Sequence, residues 1–138
     1  MLIAQIYPAK ELGPDDTRRV LLKLAIVFRT LDLNHTQVAA FTPIYDAYQA
    51  EMKTLMERGG AVLDKFAANF GSMTDDAAKE ILKAALKIRD DRNATMRKYA
   101  KKLERELPAV KVLQWVQIEN KLNTLLDVQA ASVIPIAQ

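Results

Sequence analysis

The feature that most constrains this chain is a helix start signal at residues 33–37 (LNHTQ), which a long apolar repeat follows. Asn34 is a strong N-cap residue, and Gln37 three positions later can reach back to the cap backbone, as in a capping box. Leu33 and Val38 flank the cap at the positions of a hydrophobic staple. The pattern predicts a helix that begins at His35.

The apolar repeat advances in alternating steps of three and four residues, which is typical of an a/d seam. It predicts one helix that extends to about Phe70 and is roughly 50 Å long. Pro43 is expected to bend this helix, and Gly59-Gly60 predicts a kink or a short break, since glycine weakens a helix by about 1 kcal/mol relative to alanine. The candidate seam residues are Phe41, Tyr45, Tyr48, Met52 and Leu55, and the repeat continues at Gly59, Val62 and Phe66.

Start and stop signals predict three further helices and make residues 1–138 a single all-α domain. A first helix is expected over 14–31, a third over 75–106 after a turn at 71–74, and a fourth over 109–131 after the corner that Pro108 imposes. Residues 1–13 are then an N-terminal arm and residues 132–138 an extended apolar tail. The fold class is four helices with a long central antiparallel hairpin.

Helical spacing also predicts which side chains are buried. The first helix is expected to bury Val20, Leu21, Leu24, Val27, Phe28 and Leu31, and to point Arg18, Arg19, Lys23 and Arg29 to solvent. The third is expected to bury Ala78, Ile81, Ala85, Ile88, Met96, Tyr99, Leu103 and Leu107, with Arg92 extending from the edge of the core. The fourth presents Val112, Trp115, Val116, Ile118, Leu122, Leu125 and Leu126.

Composition narrows the function classes. The chain has no cysteine, which excludes disulfides, thiolate nucleophiles and cysteine-based zinc sites. His35 is the only histidine and has no Glu-x-x-His or His-x-x-x-His partner, so we expect a surface side chain and no metal or other cofactor. Asp90 and Asp91 point in different directions around a helix, and we expect both to be solvated. Glycine-rich phosphate loops and nucleophile elbows are absent from the sequence, so we expect no enzyme.

The net charge of +3 is unevenly distributed. The segment 79–105 holds ten basic and four acidic residues, an excess of +6, whereas the remainder carries −3. Basic residues of a helix usually form a solvated face, and this one can also attract acidic partners. Nucleic acid is disfavoured, because only Tyr99 interrupts the basic residues as an aromatic and Asp90-Asp91 lies among them. We also expect no membrane span, since no apolar run approaches 18 residues.

The start signal resembles the LTxxQ motif of the Spy/CpxP family of periplasmic stress proteins. The match lies in residues 31–37 (LDLNHTQ), where Asn34 replaces the motif threonine; residues 107–111 (LPAVK) stand where a second, degenerate copy belongs. Residues 107–122 and the ending 134–136 also resemble a group of uncharacterised exported proteobacterial proteins. Some relatives bind zinc through several histidines, whereas this chain has only His35.

The resemblance implies a curved, all-helical homodimer in the periplasm that holds unfolded or misfolded proteins without ATP on a basic and apolar face. By analogy, the candidate client-binding residues are Arg89, Arg92, Arg97, Lys98, Lys101 and Lys102. The first residues themselves lack the positively charged n-region of a signal peptide, and their apolar run is too short for one.

The residues alone leave two alternatives for the apolar faces: they close a monomeric bundle, or they leave a face for a second copy. The residues alone also do not decide between two functions. The first is the periplasmic holdase, and the second is a non-catalytic structural or regulatory module that binds one specific protein partner.

Overall fold

The computed structural model describes the backbone of residues 14–138 and the side chains of residues 22–138. All regular secondary structure in this part of the chain is α-helix: α1 spans Pro14–Leu31, α2 His35–Asn69, α3 Asp75–Glu104 and α4 Ala109–Val133. The predicted all-α class with four helices is confirmed. The predicted arm at 1–13, and the side-chain predictions for Arg18, Arg19, Val20 and Leu21, fall outside the described residues.

The connection between α1 and α2 has the predicted capping box. The Asn34 side chain accepts from the Gln37 amide at 2.9 Å, and the Gln37 side chain accepts from the Asn34 amide at 3.0 Å. Just before it, Asp32 has φ +47, a left-handed conformation that ends α1, and Leu33 packs partly buried against the core. These local interactions fix the point at which the chain reverses into α2.

The long helix α2 continues through Pro43 and through Gly59-Gly60, so the helix has no break at the two glycines. The reason is that α2 packs against α3 more extensively than any other pair of helices packs. Continuous packing outweighs a local propensity cost of about 1 kcal/mol per glycine. The hairpin then turns at Gly71, which has φ +85, and Thr74 caps α3 by accepting from the Ala77 amide at 3.2 Å.

The hydrophobic core occupies one end of the hairpin, which we call the proximal end; the end at the 70–74 turn is the distal end. Among the described residues, no side chain between 56 and 94 is buried. The buried apolar residues are Leu24, Val27 and Leu31 of α1; Phe41, Tyr45, Tyr48, Met52 and Leu55 of α2; Tyr99 and Leu103 of α3; Leu107; and Val112, Trp115 and Ile118 of α4.

Aromatic rings connect these elements through the core. Phe41 stacks on Tyr45 with ring centroids 5.0 Å apart, and Phe28 of α1 meets Phe41 edge-on at 5.7 Å. Tyr48 in turn meets Tyr99 at 5.8 Å and Trp115 at 4.9 Å, both edge-on. Such contacts add to the apolar area that large rings bury. These ring contacts, which we call the aromatic ladder, therefore join all four helices at the proximal end.

The burial prediction for Ala78 is wrong, and two residues of the predicted apolar face of α4 are not covered. Ala78, Leu125 and Leu126 are exposed. Each follows the apolar spacing of its helix, but α1 and α4 pack with the hairpin around the proximal core and leave the distal side chains without a covering helix. Helical periodicity shows which side of a helix is apolar and does not show how far along the helix a partner extends.

The ends of α3 and α4 also differ from the prediction. Helix α3 ends at Glu104 instead of Glu106, and α4 continues to Val133, two residues past the expected Ala131. The tail then reaches the distal end, where the Met73 amide donates to the Gln138 carbonyl at 3.3 Å. Within the described part of the chain, no helix is both long enough and apolar enough to cross a membrane.

Replacing Gly60 with alanine should stabilise the protein by about 1 kcal/mol, because the position is exposed, helical and has nothing within 4 Å of an added Cβ. Gly71→Ala is the matched control and should destabilise, because φ +85 strains any residue with a Cβ. Urea unfolding measures both. A Gly60→Ala variant less stable than the parent would contradict the unbroken helix.

Candidate functional site

The buried polar residues of the core form a cluster around Glu119, which is fully buried on α4. The Tyr48 hydroxyl donates to Glu119 Oε2 at 3.1 Å, and the Lys23 ammonium lies 2.9 Å from the same oxygen. Lys23 also donates to Gln49 Oε1 at 3.2 Å. The prediction that Lys23 points to solvent is therefore wrong: it faces inward and ties α1 to both α2 and α4.

The surroundings of this cluster perturb Tyr48. Burial raises the pKa of its phenol far above the usual 10.0, and the neighbouring Glu119 charge raises it further. Tyr48 is therefore a neutral hydrogen-bond donor at any physiological pH. The second carboxylate oxygen, Glu119 Oε1, has no hydrogen-bond partner among the described residues. With Oε2 already holding a phenol and an ammonium, the cluster serves to position helices.

A second group of polar side chains lies along one edge of the α2–α3 hairpin. Glu51 accepts from the Lys98 ammonium at 2.6 Å and from the Tyr99 hydroxyl at 2.8 Å. Further along, Asp91 pairs with Arg58 and with Lys87, each at 2.8 Å, and Lys65 pairs with Glu80 near the turn. Asp91 is half-buried, so the prediction that it is solvated is wrong.

The Glu51 and Asp91 pairs flank a shallow groove of about 350 Å³ between the two helices. Hydrogen bonds from Lys98 and Tyr99, with the Lys98 and Lys102 charges, hold the pKa of Glu51 below its usual 4.5 against the effect of burial. Bonds from Lys87 and Arg58 similarly lower the pKa of Asp91. The charges that line the groove are thus balanced within the chain. Its lining residues are Glu51, Thr54, Leu55, Arg58, Asp91, Ala94, Thr95 and Lys98.

The six basic residues proposed for client binding are distributed around α3. Lys98 faces Glu51 of α2, Lys102 lies 4.9 Å from the Tyr99 ring centroid, and the half-buried Arg92 reaches Asp127 of α4 at 3.4 Å. Arg89, Arg97 and Lys101 are exposed and make no ion pair within residues 22–138. The structure therefore does not bring the six together on one face.

The five candidate seam residues, by contrast, lie together, and all of them are buried within the chain. Their seam packs against the other helices of the same molecule and presents no open face. Of the cap residues, Asn34 and His35 are exposed. Among the described residues, no group of three or more histidine and acidic side chains could hold a metal ion.

Several large apolar side chains are exposed in the distal half of the hairpin. Met56 and Leu63 of α2 and Phe70, the residue that caps its C-terminal end, are exposed and lie seven residues apart, so they share one side of the helix. Leu82 and Leu86 of α3 are exposed one turn apart. We call these five residues the distal apolar surface. On α4, Leu125, Leu126 and Val128 are exposed at a similar distance from the core.

Sequence reasoning missed Glu119, although a signal for it was present. Glu119 lies four residues after Trp115 and seven after Val112, so helical spacing alone places it on the buried face of α4. Lys23 likewise lies four residues before Val27, which is buried on α1. Charged residues at core spacing on two helices indicate a buried pair.

Comparisons with known proteins add no further constraint. No protein-family model matches the chain, and no curated protein and no solved structure shows significant similarity to it.

Replacing Glu119 with leucine should destabilise the protein by about 3 kcal/mol, because the Tyr48 hydroxyl loses its acceptor and Lys23 loses its counter-charge. The triple variant Lys23→Met, Tyr48→Phe, Glu119→Leu should recover most of that loss, since no buried polar group is then left without its partner. Urea unfolding of both variants measures the difference. Equal destabilisation of the single and the triple variant would contradict the coupling.

The Glu51–Lys98 ion pair predicts how the free energy of unfolding changes with pH. A carboxyl whose pKa is lowered by folding contributes stability above its usual 4.5 and loses it as the pH falls through the lowered value. Between pH 5 and pH 3, the free energy of unfolding should fall less for Glu51→Gln than for the parent protein. Urea unfolding at the two pH values measures this difference. Because Lys98 is largely exposed, the difference should shrink in about 1 M salt. An equal loss of unfolding free energy in Glu51→Gln and in the parent protein between pH 5 and pH 3 would contradict the prediction.

Proposed function

We propose that this protein is a non-enzymatic, ATP-independent holdase of the periplasm, similar in kind to the Spy/CpxP proteins, which binds unfolded or misfolded clients. The single observation that carries the proposal is the distal apolar surface, where large apolar side chains remain exposed on two long helices. Exposed apolar groups at this density are characteristic of surfaces that bind other proteins.

The strength of each contact fits reversible binding. Covering one half-exposed leucine contributes about 1 kcal/mol, which is far too little to hold a client alone. A client that contacts several of the five residues gains enough to remain bound transiently, and a folded protein, which exposes fewer apolar residues, gains less. Weak contacts at many points therefore discriminate unfolded from folded chains and need no energy source for release.

Charge on α3 supports the same function. Lys79 and Lys83 are exposed on the same stretch of helix as Leu82 and Leu86, and Arg89 follows them. Exposed cations that make no ion pair attract acidic segments of a client over about 8 Å at physiological ionic strength. Of the basic residues proposed from the sequence, Arg89, Arg97 and Lys101 have the freedom for this role; Arg92 and Lys98 are already engaged by Asp127 and Glu51.

The distal leucines provide a direct test. In the full chain, Leu82→Ser with Leu86→Ser should reduce suppression of aggregation of a chemically denatured model protein several-fold, because the two most exposed apolar side chains of distal α3 are lost. The matched control is Val110→Ser with Leu113→Ser on proximal α4, where the side chains are 64% and 58% exposed against 59% and 51% for the distal pair.

The control pair should leave holdase activity unchanged. If the parent protein does not suppress aggregation at equimolar concentration, the holdase proposal fails and the single-partner module becomes the better account. If both pairs reduce activity equally, clients bind apolar residues indiscriminately and the distal surface has no special role.

A further inference from the structure

The glycine pair Gly59-Gly60 lies where the hydrophobic core of the hairpin ends. Leu55 is the last buried residue of α2, and no described side chain between 56 and 94 is buried. An added Cβ would have no atom within 4 Å at either glycine, and neither glycine has a positive φ. Neither close packing nor backbone conformation therefore requires glycine here. What two adjacent glycines give a helix is freedom to bend, and these two lie at the boundary between its proximal and distal halves.

Gly59 interrupts the apolar stripe of α2. The stripe is buried up to Leu55. It then continues at Gly59, Val62 and Phe66. Val62 and Phe66 are half-buried, and Gly59 has no side chain to connect them with the core. Residues 61–70 can therefore move without disturbing the aromatic ladder.

Residues 61–70 also have glycine at both ends. Gly59-Gly60 precedes them, and Gly71, which has φ +85, lies in the turn that follows them. Bending at the two ends lets the segment between them move outward as one helical unit. The turn and α3 are retained in this movement.

Ion pairs join α2 to α3 on both sides of the glycine pair. Arg58 pairs with Asp91 at 2.8 Å just before it. Beyond it, Lys65–Glu80 is the only ion pair between these two helices within the described residues. The side chains of Lys65 and Glu80 are 45% and 65% exposed, and exposed ion pairs contribute little stability. This pair favours contact between the helices beyond the glycines, and breaking it costs little.

We propose that α2 bends at Gly59-Gly60, so that residues 61–70 lift away from α3. We call the glycine pair the hinge, and the Lys65–Glu80 pair the latch that favours the closed state. Bending uncovers Val62 and Phe66, which extend the distal apolar surface by two large side chains. The hinge follows from the glycines and the packing around them, whereas the use of the uncovered residues by clients rests on the proposed holdase function. A client that binds them stabilises the open state.

Amide hydrogen exchange of the full chain tests the hinge without any client. Bending at Gly59-Gly60 breaks the helical hydrogen bonds from the amides of residues 61–64 to the carbonyls of residues 57–60. These amides should therefore exchange faster than those of residues 48–55, and Gly59→Ala with Gly60→Ala should slow them about tenfold. Unchanged exchange at 61–64 in the double variant would overturn the hinge.

The latch distinguishes a hinge from a helix that is only weakened locally by its glycines. Glu80→Gln should speed exchange at 61–64 about threefold, because the latch then no longer favours the closed state. In the Gly59→Ala, Gly60→Ala background the same substitution should have no effect there. Asp90→Asn is the matched control, since Asp90 is exposed on α3 and makes no ion pair within residues 22–138. If Glu80→Gln acts equally in both backgrounds, or no more strongly than Asp90→Asn, the proposal is overturned.

Suppression of aggregation tests the use of the uncovered residues by clients. The Gly59→Ala, Gly60→Ala variant should be more stable than the parent protein and yet suppress aggregation of a denatured model protein several-fold less. Equal suppression by the variant and the parent would overturn this use of the hinge. If the parent does not suppress aggregation while exchange shows the hinge and its coupling to the latch, the holdase proposal fails and the hinge stands, so the two failures are distinguishable.

Discussion

Burial of the stripe from Phe41 to Leu55 is the constraint on which the rest of the structure depends. These side chains are too large and too apolar to be covered by one neighbour, and each of the other three helices contributes residues that cover them. Tyr48 shows this most directly, since its ring meets Tyr99 of α3 and Trp115 of α4 while Lys23 of α1 lies over its face. Removing any one helix would expose part of the aromatic ladder.

The Lys23–Glu119 pair adds specificity to this apolar packing. A buried ion pair contributes little net stability, because the cost of removing two charges from water offsets most of their attraction. Its effect is geometric. An α1 helix with only aliphatic residues could shift along the hairpin by one turn at small cost. With Lys23 present, the same shift would leave Glu119 buried without its counter-charge. This ion pair therefore helps to fix the register of α1 along α4.

The hairpin has two halves with different physical roles. In the proximal half, three helices cover α2 and the side chains are buried; in the distal half, α2 and α3 rely mainly on each other and on ion pairs such as Arg58–Asp91. Local stability should fall toward the turn, because fewer apolar contacts oppose opening there. The single tail contact, from the Met73 amide to the Gln138 carbonyl, adds one hydrogen bond at that end. The proposed binding of varied clients would benefit from a distal end that opens more readily.

The sequence by itself determined the features that depend on neighbours along the chain. The Asn34–Gln37 capping box, the helix starts after Thr74 and Pro108, and the apolar side of each helix all follow from interactions within a few residues. Only the tertiary structure decided what depends on distant residues. It kept α2 continuous through Gly59-Gly60, turned Lys23 inward to Glu119, and ended the core at Leu55 although the apolar pattern continues to Phe70. Periodicity shows which side of a helix is apolar, whereas the presence of a helix that covers this side depends on where the other helices end.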